Sequence, residues 1–115
     1  MLNKRTLGGR KEQLAGAFLE EKGYAILEYN YRTRAAEVDL ICKDRNAYVF
    51  VEVKYRKDLS EGHPLEAVTP YKQNRIRRAA LFYLMEHNLV PDLTEIRFDV
   101  VGVLEDEVIH LEGAF

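Results

Sequence analysis

The sequence predicts an α/β fold, a mixed sheet packed by helices, with elements in the order α-β-β-β-α-β-β. Three observations lead there. Apolar residues recur at helical three- and four-residue spacing in two separate stretches. Short runs of β-branched and aromatic residues, bounded by turn-formers, lie on both sides of the second stretch. Each helical stretch also carries an end signal of its own, a glycine after the first and a Thr-Pro pair before the second.

The first helix is expected over about residues 9–22, where Leu14 and Phe18, and Ala15 and Leu19, stand four apart. Gly23 follows as its C-terminal glycine. Tyr24 to Tyr31 reads as a strand, and two more follow over about 36–43 and 48–56. The polar stretch Lys43-Asp44-Arg45-Asn46-Ala47 suits a tight turn between them. Thr69 as N-cap with Pro70 at the first helical position opens the second helix. It should run to about His87, with Ile76, Ala79, Ala80, Tyr83 and Leu84 facing the core. Glu95 to Leu104 is the next strand, and Val108 to Leu111 a short last one beyond Glu105-Asp106-Glu107.

A chain of 115 residues has the size of one compact domain, spanning 1–115. Cys42 is the only cysteine, which excludes an internal disulfide and a cysteine-based zinc site. No apolar run approaches the length of a membrane span, and no apolar core follows the basic N-terminus, so a cytoplasmic protein is expected. There is no glycine-rich phosphate loop and no dinucleotide fingerprint. The net charge of −2 hides an uneven distribution: residues 53–78 hold seven bases against three acids, and residues 79–115 eight acids against Arg97 alone. Such a chain would not coat nucleic acid indiscriminately, yet it can carry a basic groove on one face.

Charge appears where strands normally avoid it. If the turn centres on Arg45-Asn46, partner residue numbers sum to 91, which sets Asp39 across from Glu52 and Glu37 across from Lys54. Alternation then places all four on one face. Two carboxylates at roughly 5 Å and an effective dielectric near 20 repel by about 3 kcal/mol. A divalent cation answers that repulsion, and Mg²⁺ or Mn²⁺ prefers such oxygen ligands. Asp39, Glu52 and the backbone carbonyl of Val53 are the candidate ligands. Lys54 beside them would stay charged and stabilise a phosphoryl group. This is apparatus for hydrolysing a phosphodiester.

Other residues have two readings. Glu12 is an exposed helix glutamate, unless its helix packs near Asp39 and brings it to the metal. Glu37 is an ion-pair partner of Lys54 or part of the metal's outer shell, the pair being preferred. Lys72, Arg75 and Arg78 share one side of the second helix, with Gln73 beside them, and could grip phosphates or form a solvated face. Arg56 belongs to the same basic segment. Tyr31, Tyr55 and Tyr71 could stack on bases or cover the edge of a core. The histidines His63, His87 and His110 are scattered without ligand spacing, and Asp99 is expected to pair with Arg97.

Asp39, twelve intervening residues, then Glu52-Val53-Lys54 resembles the core of the PD-(D/E)XK nuclease superfamily. The match extends further. Gly9 to Leu19, Gly23-Tyr24, Asn30-Tyr31-Arg32, Glu37-Val38-Asp39-Leu40-Ile41, Val49 to Arg56, Lys72 to Ile76 and Arg97 to Val101 resemble the YraN family. That is a small bacterial family of endonuclease-like proteins, related in fold to archaeal Holliday-junction resolvases. The resemblance implies a restriction-endonuclease-like fold, a metal-dependent nuclease site and a homodimer acting on branched DNA. On it Glu12, Asp39, Glu52 and Lys54 map to active-site positions, and Lys72 and Gln73 fall in a helix segment of the family pattern. Ala36 departs from the glycine that the family carries before Glu37, without loss of a catalytic group. The expected activity is therefore Mg²⁺- or Mn²⁺-dependent cleavage of DNA, with RNA as a further candidate substrate. The alternative is a nucleic-acid-binding module that keeps the fold without the chemistry.

Overall fold

The computed structural model describes residues 4–115, and the side chains of all these except 4–9, 66 and 67. The basic side chains Lys4 and Arg5 therefore lie outside the described residues. Helix α1 (Lys4–Glu21) leads into strands β1 (Ala25–Arg32), β2 (Glu37–Asp44) and β3 (Ala47–Arg56). Helix α2 (Pro70–Glu86) then connects to β4 (Ile96–Leu104) and β5 (Glu107–Leu111). Single 3-10 turns at Leu59–Glu61, Pro64–Ala67 and Pro91–Leu93 fill the connections. The five strands lie in chain order in one mixed sheet, restriction-endonuclease-like in its arrangement. All neighbours are antiparallel except β3 and β4, which run parallel because the chain crosses over through α2. No described helix is long and apolar enough to cross a membrane.

The helices cover opposite faces of the sheet. Ala15 and Leu19 of α1 pack on Leu40, Cys42, Val49, Val51, Val53 and Val101. Ile76, Ala79, Ala80, Tyr83 and Leu84 of α2 pack on Val38, Ile41, Phe50 and Phe98. These five α2 residues are the ones its 3.6-residue period predicts. The central strand β3 alternates cleanly, with Val49, Val51 and Val53 toward α1 and Phe50 toward α2. Continuing that alternation sets Glu52 and Lys54 on the α2 face, at the C-terminal end of β3.

Local signals act as the chain's punctuation. Thr69 accepts the Lys72 amide and Pro70 occupies the first turn, so α2 begins where its cap dictates. Gly23 has φ of 99°, the left-handed conformation that ends α1. Gly16 permits close packing of α1, since a Cβ there would run into the Tyr29 ring. That approach lays the preceding turn, with Glu12, along the end of β1.

Candidate active site

Three carboxylates reach one end of the sheet by different routes. The β2–β3 hairpin keeps the register whose partners sum to 91, from Asp44–Ala47 to Leu40–Val51. Ladder pairing stops there. Instead of facing Glu52 across a continued ladder, Asp39 Oδ2 accepts the Val53 N–H at 2.7 Å. Within an extended strand the N–H and C=O of one residue point to the same side, so the Val53 carbonyl faces Asp39 too. Glu52 follows on the α2 face and is 3% exposed. Glu12 arrives from α1 and is 7% exposed, on the same helix face as Ala15 and Leu19.

The electrostatics are those of crowded, poorly solvated acids. Burial raises Asp39 to about 7; the Glu52 charge adds to the rise and the Val53 hydrogen bond opposes it. Burial likewise raises Glu12, against a hydrogen bond from Asn30, while Glu37 and Glu52 push it up further. Glu52 Oε1 is held by Lys72 Nζ at 2.6 Å and lies 3.5 Å from Lys54 Nζ. Its other oxygen, Oε2, is buried without a hydrogen-bond partner among the described residues. An orphaned carboxylate oxygen beside a protonatable aspartate fits a cation-binding donor set. Among the described residues no three His, Cys, Asp or Glu side chains are already grouped as a metal cage. Lys72 instead holds the Oε1 side of Glu52, and Oε2 stays free among the described residues.

The two lysines are shifted in opposite directions. Lys54 is pulled below the usual lysine range by burial first and by neighbouring Lys72 second, which outweigh the attraction of Glu52. Burial works against Lys72 as well, but its hydrogen bond to Glu52 raises it above the normal value. Lys72 was expected to grip phosphates; here its ammonium is committed to Glu52.

An open groove of about 490 Å³ runs beside these groups, lined by Glu37, Asp39, Glu52, Tyr71, Lys72 and Arg75. A second hollow of about 460 Å³ shares Tyr71 and Arg75 with it and adds Arg34, Asn74 and Arg78. Arg75 is exposed, anchored through Nε on the Ala35 carbonyl, with its guanidinium 5.6 Å from the Tyr71 ring centre. Of the expected phosphate grips, Arg75 and Arg78 line this surface. Gln73 does not, since its amide donates to the Val68 carbonyl at 3.2 Å and secures the start of α2. Arg56 is half-buried and donates to the Tyr55 carbonyl. Glu37 pairs with Arg32 at 3.5 Å, not with Lys54, because the ladder that would align them ends short of both. Arg34 escaped sequence reasoning. Its only signal was a position in the β1–β2 connection, a few residues before Asp39.

Tyr31, Asp99 and the three histidines have structural partners. Tyr31 is buried and donates to Glu86. Asp99 accepts from Arg97 Nε and Nη2 at 2.9 and 3.0 Å, from His110 Nε2 at 2.7 Å and from the Gly113 amide at 3.0 Å. Lys22 donates to His110 Nδ1 at 2.9 Å, which leaves the Nε2 proton for Asp99. His63 caps the turn at Pro64–Ala67, and His87 stacks on Tyr83.

A restriction-endonuclease-like mixed sheet with buried acids at one end places the molecule among α/β proteins of nuclease-like fold. More particularly, the chain belongs to the uncharacterised protein family UPF0102, whose model matches residues 11–103. It is 44% identical over 114 residues to a UPF0102 protein of Lachnoclostridium phytofermentans, covering 99% of this chain and 96% of that one. It is 50% identical over 103 residues to a relative in Desulforapulum autotrophicum, covering 90% and 84%. A third, from Syntrophus aciditrophicus, is 52% identical over 101 residues, covering 88% and 77%.

Proposed function

We propose that this protein is a metal-dependent endonuclease that hydrolyses DNA phosphodiesters, with branched DNA as its preferred substrate. The observation that carries the reading is buried Glu52 beside half-buried Asp39, with one Glu52 oxygen unpartnered, opening on a groove with basic walls. Asp39, Glu52 and the Val53 carbonyl would hold Mg²⁺ or Mn²⁺, with Glu12 completing the acidic wall. Such a cation neutralises charge developing on phosphate and makes water more acidic. Lys54, whose Nζ lies 3.5 Å from Glu52 Oε1, would position the attacking water or stabilise the charge developing on phosphate. Arg75 and Arg78 hold the neighbouring phosphates. Asp39 and Lys54 sit on rigid strands, so the reacting groups stay in register without loop closure.

One observation favours the alternative, a nucleic-acid-binding module. Lys72 Nζ pairs with Glu52 Oε1 at 2.6 Å and so offsets the charge that a cation would be needed to balance. A single assay separates the two. Labelled four-way junction, flap, single-stranded and duplex DNA, and RNA, are incubated with Mg²⁺, Mn²⁺ or EDTA. The nuclease reading expects cutting of branched DNA in metal only, lost in Asp39→Asn, Glu52→Gln and Lys54→Ala while binding survives. Binding without cutting in either metal supports the module and overturns the nuclease.

A further inference from the structure

We infer that the groove leading away from the acids holds an unpaired strand, with one nucleobase stacked on Tyr71 and the following phosphates on Arg34, Arg75 and Arg78. This deepens the nuclease reading and rests on it for the place of the cut, though the base site itself requires no metal. The groove is polarised along its length. At one end stand Glu37, Asp39 and Glu52; at the other Arg34, Arg75 and Arg78, with no acidic side chain on that wall. None of these three arginines forms an ion pair with a described carboxylate, so their charge is available to a ligand. Their sign is complementary to a phosphodiester chain.

Tyr71 lies at the junction, lining both hollows, and is 72% exposed. An apolar ring so exposed gains nothing from the core. It is nevertheless held in place: it leads α2 one residue after Pro70, and the anchored Arg75 stands over its ring. Ring and guanidinium together make a flat, preordered platform of the kind on which bases stack. In a continuous duplex each base face is covered by its neighbours, so such a platform accepts only a base freed from the stack. Each hollow, at about 490 and 460 Å³, falls within the size range of small-ligand pockets and so has room for a nucleotide. The occupant is therefore a single-stranded segment, such as a flap or the unpaired arm of a branch.

The test uses the full chain in EDTA with a single-stranded oligonucleotide carrying one 2-aminopurine, whose fluorescence reports stacking. Wild type should change the fluorescence and bind the single strand better than a duplex of the same length. Tyr71→Ala should lose the fluorescence change and weaken single-strand binding roughly ten-fold, whereas Tyr71→Trp keeps both. Arg34→Ala and Arg78→Ala should each lower the slope of log affinity against log salt by about 0.7. Equal binding by Tyr71→Ala, or no preference over duplex, overturns the inference. The two readings fail separately. Stacking without cleavage in any metal would remove the nuclease and leave the base site, while cleavage indifferent to Tyr71→Ala would do the reverse.

Discussion

Two aspartates of one sheet, half-buried Asp39 on β2 and fully buried Asp99 on β4, have opposite fates. Asp99 is fully buried, on the α1 face of β4, and pairs in register with Val51, the residue before Glu52. Asp39 lies on β2 at the edge of the groove. Burial alone would raise the pKa of either. For Asp99 the His110, Arg97 and Gly113 hydrogen bonds overcome it and hold the carboxyl below the usual range. Asp39 receives one amide and faces the charge of Glu52, so its pKa climbs to about 7. The difference separates two uses of a buried acid. One surrounded by donors is a structural hub, and one left short of donors beside another acid fits the cation site proposed above.

The sharpest way to break the comparison is to neutralise each aspartate in turn. Asp39→Asn should abolish metal-dependent cleavage, a loss of 1,000-fold or more on the order of other charge-stabilising deletions, without lowering the metal-free melting temperature. Asp99→Asn should destabilise the fold by about 3 kcal/mol, since it removes the buried charge that half-buried Arg97 and the buried His110 ring are built around. Urea titrations would measure this, and cleavage per folded molecule should not change. If both variants lose activity and stability alike, the distinction between hub and site collapses.

The pH dependence should also have opposite signs. An acid whose folded pKa is raised binds more protons when folded, so its contribution to stability falls as pH rises through the folded value. In EDTA, wild type should lose stability relative to Asp39→Asn between about pH 4 and about pH 7. Asp99, with a lowered pKa, contributes stability above the ordinary aspartate range and loses it as pH falls through its folded value. Stability curves of wild type and the two variants from pH 3 to 8 would check both slopes.

A smaller effect is expected at Lys72. Replacing it with methionine removes the partner of Glu52 and should cost about 1 kcal/mol without metal, the half-exposed ammonium limiting the loss. The same change also frees Oε1 of Glu52, so the rise in melting temperature on adding Mn²⁺ should exceed that of wild type. An equal rise in both proteins would mean that Lys72 does not compete for the cation position.

Much of this was legible in the sequence because it depends on short-range chemistry. Thr69-Pro70 caps α2, Gly23 ends α1, and the five buried residues of α2 follow its period. The turn at Arg45-Asn46 sets the hairpin register, since one slipped residue would turn Val49 and Val51 away from α1. Glu12 could also have been read more boldly. It lies three, four and seven residues before Ala15, Gly16 and Leu19, on the stripe that packs against the sheet. The partners of Glu37, Lys54, Gln73 and Arg56 were not legible. Each depends on where a ladder stops or which side chain arrives from elsewhere, and residue spacing carries neither.

By itself the sequence determined the order of elements, the hairpin register and the acids that interrupt apolar strands. These follow from local propensity, capping and the two-residue period of strands. Only the tertiary structure decided that the ladder ends at Leu40–Val51, freeing Asp39 to take the Val53 amide. It also brought Lys72 across from α2 to Glu52, and it joined Arg34 to Arg75 and Arg78 around Tyr71. Those contacts link residues far apart in the chain, and their energies depend on burial and on neighbouring charge, which exist only once the sheet and both helices have packed.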